Sequence, residues 1–318
     1  MYMKNLFLIF SLLFTHVFLQ AQEVSIPDAN FKAALIDLGI DANNDTKIQV
    51  SEAEAVHYLN VSHKSIEDLT GIEYFINLDT LYIYENFILS SIDVSKNVKL
   101  ITLVLAYTQI TAIDLSQNTK LKHLVCPYTP IDALDLSNCP ALEFLSCHNT
   151  HLTSLDLSMN ANLEHLECGA NQIESLDLSK NIHLKELDCR NTDITSLDLS
   201  SNMELQFLLC SDLSISSLDL TKNTALEYVN CMNNENLEQI CVTTQQLSLT
   251  PNWQKDDDAV WSNNCILTTD VNDQQSTAAA KVVYKVYTIT GAEISESNAQ
   301  EGIYIYLYTD GSRAKLAK

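Results

Sequence analysis

A unit of 21 residues recurs along the middle of the chain. The segment SLDLSMNANLEHLECGAN, which begins at Ser154, returns at Ser175 with few changes, and matching positions fall at 91, 112, 133, 154, 175, 196 and 217. An earlier unit, 69–90, has one residue more, so the units number about eight. A single unit cannot bury its own leucines, whereas stacked units share one apolar column. The repeat therefore predicts a β-rich solenoid with coils ~4.8 Å apart.

One inward-pointing position of the unit is occupied by cysteine in most coils. Ile83 and Leu105 fill the same position in the first two units. The cysteine column consists of Cys126, Cys147, Cys168, Cys189, Cys210 and Cys231. Because Ile and Leu replace Cys, the position requires an apolar side chain, and we interpret the column as core. Metal binding or redox chemistry is the alternative, but no C-x-x-C or neighbouring His is built around the column.

Two polar columns keep the same period. The first contains Asn97, Asn118, Asn160, Asn181, Asn202 and Asn223, with Cys139 at the place where another Asn is expected. We predict that these amides satisfy backbone groups buried in the turns. The second column contains Asp93, Asp114, Asp135, Asp156, Asp177, Asp198 and Asp219. Each Asp is followed two places later by Ser or Thr, which predicts local hydrogen bonding; cation binding along the row is the alternative.

Over about 59–241, this pattern resembles the leucine-rich repeats of bacterial proteins. The short unit and the LTGIE start at Leu69 are similar to internalins in particular. The resemblance implies a right-handed coil or horseshoe that presents an extended surface. Proteins of this kind most often bind other proteins, so it also implies a binding module and no enzyme.

Residues on either side of the inward Leu and Cys are predicted to line the concave sheet, because side chains alternate along a strand. This predicted surface varies from unit to unit and carries exposed aromatics, which commonly mark interaction sites. The candidate binding residues are Tyr82, Tyr84, Val104, His123, Phe144, His148, His165, Glu167, Glu186, Asp188, Arg190, Phe207, Leu209 and Tyr228. The aromatics also suit β-strands as such, which is the alternative reading. We expect a protein partner on a host or neighbouring cell, or a surface glycan.

The start of the chain predicts export. A mostly apolar run from Leu6 to Leu19 follows Lys4. It is too short to span a bilayer and is typical of a signal peptide, assigned here to 1–22. No later segment approaches 18 uninterrupted apolar residues, so no transmembrane segment is expected. The mature protein is predicted to be secreted, either held on the outer surface of a bacterial cell or released.

Residues 23–66 are predicted to form a helical N-terminal cap. Pro27 and Asp28 begin one helix, which runs to Leu38, and a second helix is expected over 51–59.

Between the two predicted helices lies an acidic loop. Its oxygen-bearing positions Asp41, Asn43, Asp45, Lys47 and Glu52 have the spacing of a calcium loop, and the segment resembles an EF-hand or dockerin loop. Thr46 stands where that loop has Gly. The resemblance implies structural Ca²⁺, with a merely polar capping loop as the alternative. No organic cofactor is indicated.

The segment after the repeats contains two cysteines outside the column. Cys241 and Cys265 lie in a predicted C-terminal cap over 241–268. In an exported chain they predict a disulfide that contributes roughly 3 kcal/mol, and a free pair is the weaker alternative. Small polar residues over 269–281 predict a linker.

The last segment, 282–318, alternates as strands over 283–289 and 302–308 and ends in lysines. With its Tyr287-x-Ile289-x-Gly291 motif, Gly302-Ile303-Tyr304-Ile305 and Asp310-Gly311, it resembles the C-terminal sorting domain of type IX secretion substrates. The resemblance implies a small β-sandwich-like domain that engages the type IX secretion machinery. An ordinary β-module that stays in place is the alternative.

Charge and site geometry narrow the function. With 18 basic and 41 acidic residues, the net charge of −23 argues against a nucleic-acid partner. Glycoside hydrolysis needs two opposed carboxylates in a cleft, whereas these carboxylates are periodic or lie on an open predicted surface. We therefore predict an exported leucine-rich-repeat binding module or adhesin. The alternatives are a glycan-active enzyme or accessory protein, and a structural component of the envelope.

Overall fold

The computed structural model describes residues 22–265 and, further on, strands within 283–317. The chain divides after Cys265 into two units, and each is described by itself. In these described parts no helix is both long enough and apolar enough to cross a membrane. The predicted signal peptide and linker lie outside the described residues, apart from Gln22 at the very end of the signal peptide.

The first unit is a parallel β-solenoid in which most coils contribute one strand of three residues. The main sheet has nine parallel strands in the order β1-β2-β3-β4-β5-β6-β7-β8-β10. They are β1 (Tyr58–Asn60), β2 (Thr80–Tyr82), β3 (Thr102–Val104), β4 (His123–Val125), β5 (Phe144–Ser146), β6 (His165–Glu167), β7 (Glu186–Asp188), β8 (Phe207–Leu209) and β10 (Tyr228–Asn230). A second parallel sheet joins β9 (Ser217–Asp219), β11 (Gln239–Cys241) and β12 (Val260–Ser262).

The core lies directly behind the main sheet. The middle residue of each strand is buried, from Leu59 in β1 to Val229 in β10. All six members of the cysteine column are buried and free, which confirms that the column is core. Burial raises the pKa of the Cys126 thiol to about 12, so it stays protonated at neutral pH. A protonated, buried thiol is a poor nucleophile and a poor metal ligand.

The asparagine column satisfies buried backbone, as predicted; we call it the asparagine ladder (Asn97, Asn118, Asn160, Asn181, Asn202 and Asn223). The Asn181 Nδ2 donates to two carbonyls of the preceding coil, Leu157 O at 3.2 Å and Asn160 O at 2.9 Å. Gln246 continues the pattern after the last Asn and donates to the Leu220 and Asn223 carbonyls. At the irregular position, the Cys139 Sγ lies 3.9 Å from the Asn118 carbonyl.

The aspartate row also hydrogen-bonds locally, as predicted. In all seven, Oδ1 accepts the backbone N–H of the Ser or Thr two residues later at 2.9 Å. The backbone N–H and the hydroxyl of Ser158 lower the pKa of Asp156, although the neighbouring carboxylates Asp135 and Asp177 oppose this shift. The row therefore fixes each turn through a carboxylate that accepts a backbone N–H.

A further position of each coil is defined by its backbone conformation. Two residues after the cysteine column, the backbone is left-handed, with φ between 52° and 59° from Glu85 to Asn233. Asn149, Asn191 and Asn233 occupy this position, which Asn tolerates better than most residues. At the next residue along the chain, the side chain is buried and hydrogen-bonds the backbone of the coil. The Asn171 Nδ2, for example, donates to the Cys168 carbonyl at 3.0 Å.

Two helices precede the sheet. Helix α1 (Ala29–Asp37) starts at Asp28, whose Oδ1 accepts the N–H groups of Asn30 and Phe31 at 2.8 Å. The other oxygen of Asp28 accepts the N–H groups of Glu67 and Asp68, and so ties the helix to the first coil.

Helix α2 (Val50–Glu54) is shorter than the helix predicted over 51–59. That prediction was wrong at its end, because residues 58–60 pair with β2 as strand β1. The alternation of Leu59 and Val61 inward matches the strand of a repeat, and both are fully buried.

The end of the solenoid is closed by the segment after β11. Cys241 and Cys265 are joined by a disulfide, with Cα atoms 5.6 Å apart. Trp253 packs edge-on against Trp261 and donates its indole N–H to the Glu227 carbonyl at 3.0 Å. Gln254 pairs with Asn230 of β10, so a further stretch of backbone covers the edge of the main sheet.

The second unit contains one antiparallel sheet in its described residues. Strands β13 (Val283–Thr288), β14 (Glu293–Ile294), β15 (Ile303–Tyr308) and β16 (Arg313–Ala317) lie in the order β14-β13-β15-β16. The first and third lie within the two predicted strands, 283–289 and 302–308. Residues 290–291 and 310–311, which include Gly291 and Asp310-Gly311 of the predicted sorting motif, lie outside the described residues.

Candidate binding face

The strands of the main sheet pair in register, so equivalent residues form rows across the coils. We call the outward residues of these rows the sheet face. The first row runs Tyr58, Thr80, Thr102, His123, Phe144, His165, Glu186, Phe207, Tyr228. The second runs Asn60, Tyr82, Val104, Val125, Ser146, Glu167, Asp188, Leu209, Asn230. A third follows the cysteine column and includes Tyr84, His148, Gly169 and Arg190.

All of the predicted binding residues lie in these three rows, and none of them is buried. Ser146 is different, because it sits in the second row but is only 2% exposed. Its small side chain is covered by its neighbours, among them His148, whose Nδ1 lies 3.4 Å from the Ser146 hydroxyl.

The first coils form an aromatic end: Tyr58, Tyr82 and Tyr84 lie in the rows of the sheet face, and Tyr107 and Tyr128 lie beside it, one residue beyond the third row. Tyr58 is 59% exposed, and its ring centroid lies 5.7 Å from that of Tyr82. Tyr107 and Tyr128 stack with centroids 4.6 Å apart and planes nearly parallel. Tyr58 was missing from the predicted set because a helix was expected there. The alternation of Leu59 and Val61 was the signal for it.

The later coils form a charged end of the sheet face (His148, His165, Glu167, Glu186, Asp188 and Arg190). The His165 Nε2 lies 3.5 Å from the Glu186 Oε1. The Arg190 side chain donates two hydrogen bonds to Asp188, from Nε to Oδ1 at 2.9 Å and from Nη2 to Oδ2 at 2.7 Å. The Asp188 bond is the main cause of the raised pKa of Arg190.

The charged end contains a cavity of about 460 Å³, which we call the Gly169 notch. Gly169 lies in the third row, where the coils on either side carry His148 and Arg190. A Cβ on Gly169 would lie 2.7 Å from the Arg190 carbonyl oxygen and 3.3 Å from the Asp188 Oδ1, so a side chain there is excluded. The notch is lined by Tyr128, His148, Glu167, Asp188, Arg190 and Asp212, among others. Asp212 was not among the predicted binding residues because it occupies the left-handed position beyond the strand.

In the predicted calcium loop, the carboxylates accept hydrogen bonds from backbone N–H groups of the same loop. Asp41 accepts the N–H groups of Asp45 and Thr46 at 3.1 and 2.9 Å. Glu52 accepts those of Ala42 and Gln49, both at 2.9 Å. Thr46 has φ 66°, the left-handed conformation for which calcium loops use Gly.

The remaining predicted ligands of this loop are engaged as well. The Asn43 amide and the Asp45 carboxylate both bond the Gln49 side chain, and the Lys47 ammonium pairs with Glu23 at 2.8 Å. Over residues 22–265, no three side chains among His, Cys, Asp and Glu converge into a metal-holding group. The oxygen types suit Ca²⁺, but Asn43 and Asp45 would have to exchange their bonds to Gln49 for an ion. Calcium binding stays a prediction.

The solenoid is similar to solved leucine-rich-repeat structures. The functional domain of InlJ from Listeria monocytogenes, which includes a cysteine ladder, matches with 26% identity and a TM-score of 0.57. The match covers 75% of this chain and 62% of that one, so the chain spans about three fifths of the InlJ domain. Internalin C2 of the same organism matches with 20% identity and a TM-score of 0.57, over 71% of this chain and 98% of that one.

No protein-family profile matches the chain, and no curated protein matches its sequence. The structural comparisons show that the chain has the leucine-rich-repeat solenoid fold and is similar to the solved internalin structures.

Proposed function

We propose that this chain is a protein-binding module that presents its sheet face to a protein partner outside the cell. The single observation that carries the proposal is the contrast within each coil. The inward columns are almost constant, whereas the outward rows change chemistry from coil to coil and include solvent-exposed rings such as Tyr58 and Phe207. Exposed aromatic rings grouped on one surface commonly mark an interaction site.

The size of the sheet face suits this role. Nine strands at a spacing of ~4.8 Å give a surface roughly 40 Å long. A standard interface buries about 800 Å² on each partner, and a surface of this length accommodates it. Aromatic side chains are also the residues that most often dominate binding energy in such interfaces. The likeness to internalin structures supports a binding module over an enzyme.

The test of this proposal is capture of a partner from host-cell or neighbouring-cell surface extract by the full mature chain. Replacing Tyr82, Phe144 and Phe207 with Ala is expected to abolish capture while circular dichroism and unfolding stay unchanged. The matched control replaces Met159, Ile182 and Met203, which are 50–59% exposed but outside the sheet face, and it should bind normally. Equal binding by both triple variants would move the site elsewhere, and saturation on a glycan array alone would replace the protein partner with a glycan.

The proposal includes delivery to the cell surface or the medium. The signal-peptide pattern of 1–22 and the resemblance of 282–318 to type IX sorting domains support export across both membranes. The full chain, expressed in a bacterium with type IX secretion, should reach the surface or the medium, whereas a chain lacking 282–318 should remain in the periplasm. Identical distribution of both would remove the sorting role from the tail.

We also propose structural Ca²⁺ in the loop 41–52, supported by the oxygen ligands and their spacing. With a dissociation constant of ~10⁻⁴–10⁻³ M, 10 mM calcium would stabilise the fold by roughly 1–3 kcal/mol. The melting temperature should therefore rise with calcium, and the rise should vanish in Asp45→Ala. A rise of the same size in that variant would place the ion elsewhere.

A further inference from the structure

The depth of the Gly169 notch is fixed by the backbone. The carbonyl oxygen of Arg190 would lie within 2.7 Å of any Cβ at position 169, so the gap between the His148 and Arg190 side chains cannot be filled from that coil. The gap is therefore a permanent feature of the sheet face, about 460 Å³ in volume, and it can receive a side chain from outside.

The charge of the notch is negative. Asp188 is already neutralised by its two bonds to Arg190, at 2.9 and 2.7 Å. Two other carboxylates, Glu167 and Asp212, line the same cavity without a Lys or Arg within salt-bridge distance in residues 22–265. Glu167 has His148 at 3.8 Å, and Asp212 accepts one amide bond, from Asn233 at 2.8 Å. An anionic ligand would meet these carboxylates and be repelled.

One wall of the notch is aromatic and held in place. Tyr128 is stacked on Tyr107 on one side, and its centroid lies 5.1 Å from the His148 ring, edge to face. A long aliphatic chain with a charged end can pack its methylene groups against such a wall while its charge meets carboxylates. Lys and Arg have this construction.

We propose that the Gly169 notch takes a Lys or Arg side chain of the protein partner, with Glu167 and Asp212 as the groups that bind its charge. This inference rests on the proposed function. A basic anchor also matches the net charge of −23, which attracts cationic surfaces before contact is made. Charge-assisted hydrogen bonds from a guanidinium or an ammonium group to two carboxylates would then fix the partner on the charged end.

The experiment uses the ¹⁵N-labelled full mature chain and three probes: Nα-acetyl-arginine amide, Nα-acetyl-norleucine amide and methyl glucoside. The arginine probe is expected to shift the amide signals of Gly169 and Ala170 in a saturable way. The norleucine probe, which has the aliphatic chain without the charge, should leave them unchanged. Equal shifts with norleucine amide, or shifts with methyl glucoside alone, would overturn the cationic assignment.

Variants separate this inference from the proposed function. Glu167→Gln combined with Asp212→Asn should weaken the arginine probe at least tenfold. Replacing the exposed Glu54 and Glu174 with Gln removes the same charge outside the notch and should leave its affinity within about twofold. If the notch variant keeps full affinity for the captured partner, the notch is not the anchor but the binding module stands. If no partner is captured while arginine amide still binds in the notch, the proposed function is what fails.

Discussion

The sheet face and the asparagine ladder are built from the same repeat, yet they use their side chains in opposite ways. In the ladder, one chemistry is kept from coil to coil, and each amide bonds the preceding coil's backbone. On the sheet face, the backbones of neighbouring strands hydrogen-bond each other directly. No side chain is needed there to pair the backbone. The side chains of the sheet face are thereby free to vary.

The difference separates stability from recognition within a single coil. A position whose side chain completes the backbone cannot change without a cost in folding, whereas a position whose backbone is already paired can change at little cost. Variation along the sheet face is therefore what this architecture permits most easily.

Two adjacent residues of β7 should give the sharpest contrast. Leu187 is 1% exposed, and Leu187→Ala should cost about 2–5 kcal/mol through lost burial and the cavity left behind. Glu186 points outward with half its side chain exposed, and Glu186→Ala should stay within about 0.5 kcal/mol. Urea unfolding followed by circular dichroism measures both. Similar losses in the two variants would show that the sheet face also carries stability.

Removing one amide of the asparagine ladder should come next. Asn181→Ala takes one donor from the carbonyls of Leu157 and Asn160, each of which keeps one backbone bond. We expect a loss of roughly 2–3 kcal/mol in urea unfolding and no change in partner affinity. The exposed Asn162, which makes one bond to the Pro140 carbonyl, is the control, and Asn162→Ala should lose less than about 1 kcal/mol. Equal losses of unfolding free energy in the two variants would mean that the ladder amides stabilise the fold no more than an exposed Asn does.

Repairing the ladder should work in the opposite direction. Cys139→Asn supplies an amide at the one ladder position that has only a thiol, 3.9 Å from the Asn118 carbonyl. A gain of about 1 kcal/mol is expected in the free energy of unfolding. The gain is small because the Oδ1 of each ladder Asn is buried without a hydrogen-bond partner in the described residues. A destabilised variant would mean that the larger amide does not fit this coil.

The smallest effect concerns the aspartate row and acid. The hydroxyl and the backbone N–H of the serine two residues later lower the pKa of Asp114 and Asp135 below the ordinary 3.8. A lowered folded pKa gives stability that is complete above the ordinary pKa and is lost as the pH falls through the folded value. Asp114→Asn with Asp135→Asn should flatten the decline of urea midpoints between about pH 4 and pH 2. An unchanged decline would mean that the row adds no acid-sensitive stability.

The repeating part of the fold could be predicted from the sequence because each inward position recurs many times. Ile83 and Leu105 identify the cysteine column as core from the sequence alone, and the period of the ladder amides assigns them to turns. The first strand could not be placed in the same way. It occurs once, next to an N-terminal helix, and Tyr58 follows a segment with helical character.

The candidate site was predictable only as a list of outward residues. Alternation places Glu167, Asp188 and Arg190 on one face, but it does not reveal that Arg190 is already engaged by Asp188. The Gly169 notch depends on the distance from one glycine to the backbone of the next coil, which no single-chain pattern contains. Asp212, which also lines the notch, occupies a turn position that strand alternation does not assign to the sheet face.

The direction of the asparagine ladder has a consequence for how such a protein can change in evolution. Every ladder amide donates to the coil before it, and Gln246 supplies the final pair of bonds after the last Asn. Donors and acceptors therefore stay matched when a whole unit is inserted or deleted between Asn97 and Gln246. One 21-residue unit is encoded by 63 base pairs. In-frame duplication of such a stretch lengthens the binding surface by one coil, ~4.8 Å, and leaves the two ends of the solenoid unchanged. Reach and recognition can thus evolve by different genetic events, the first by duplication and the second by point substitution.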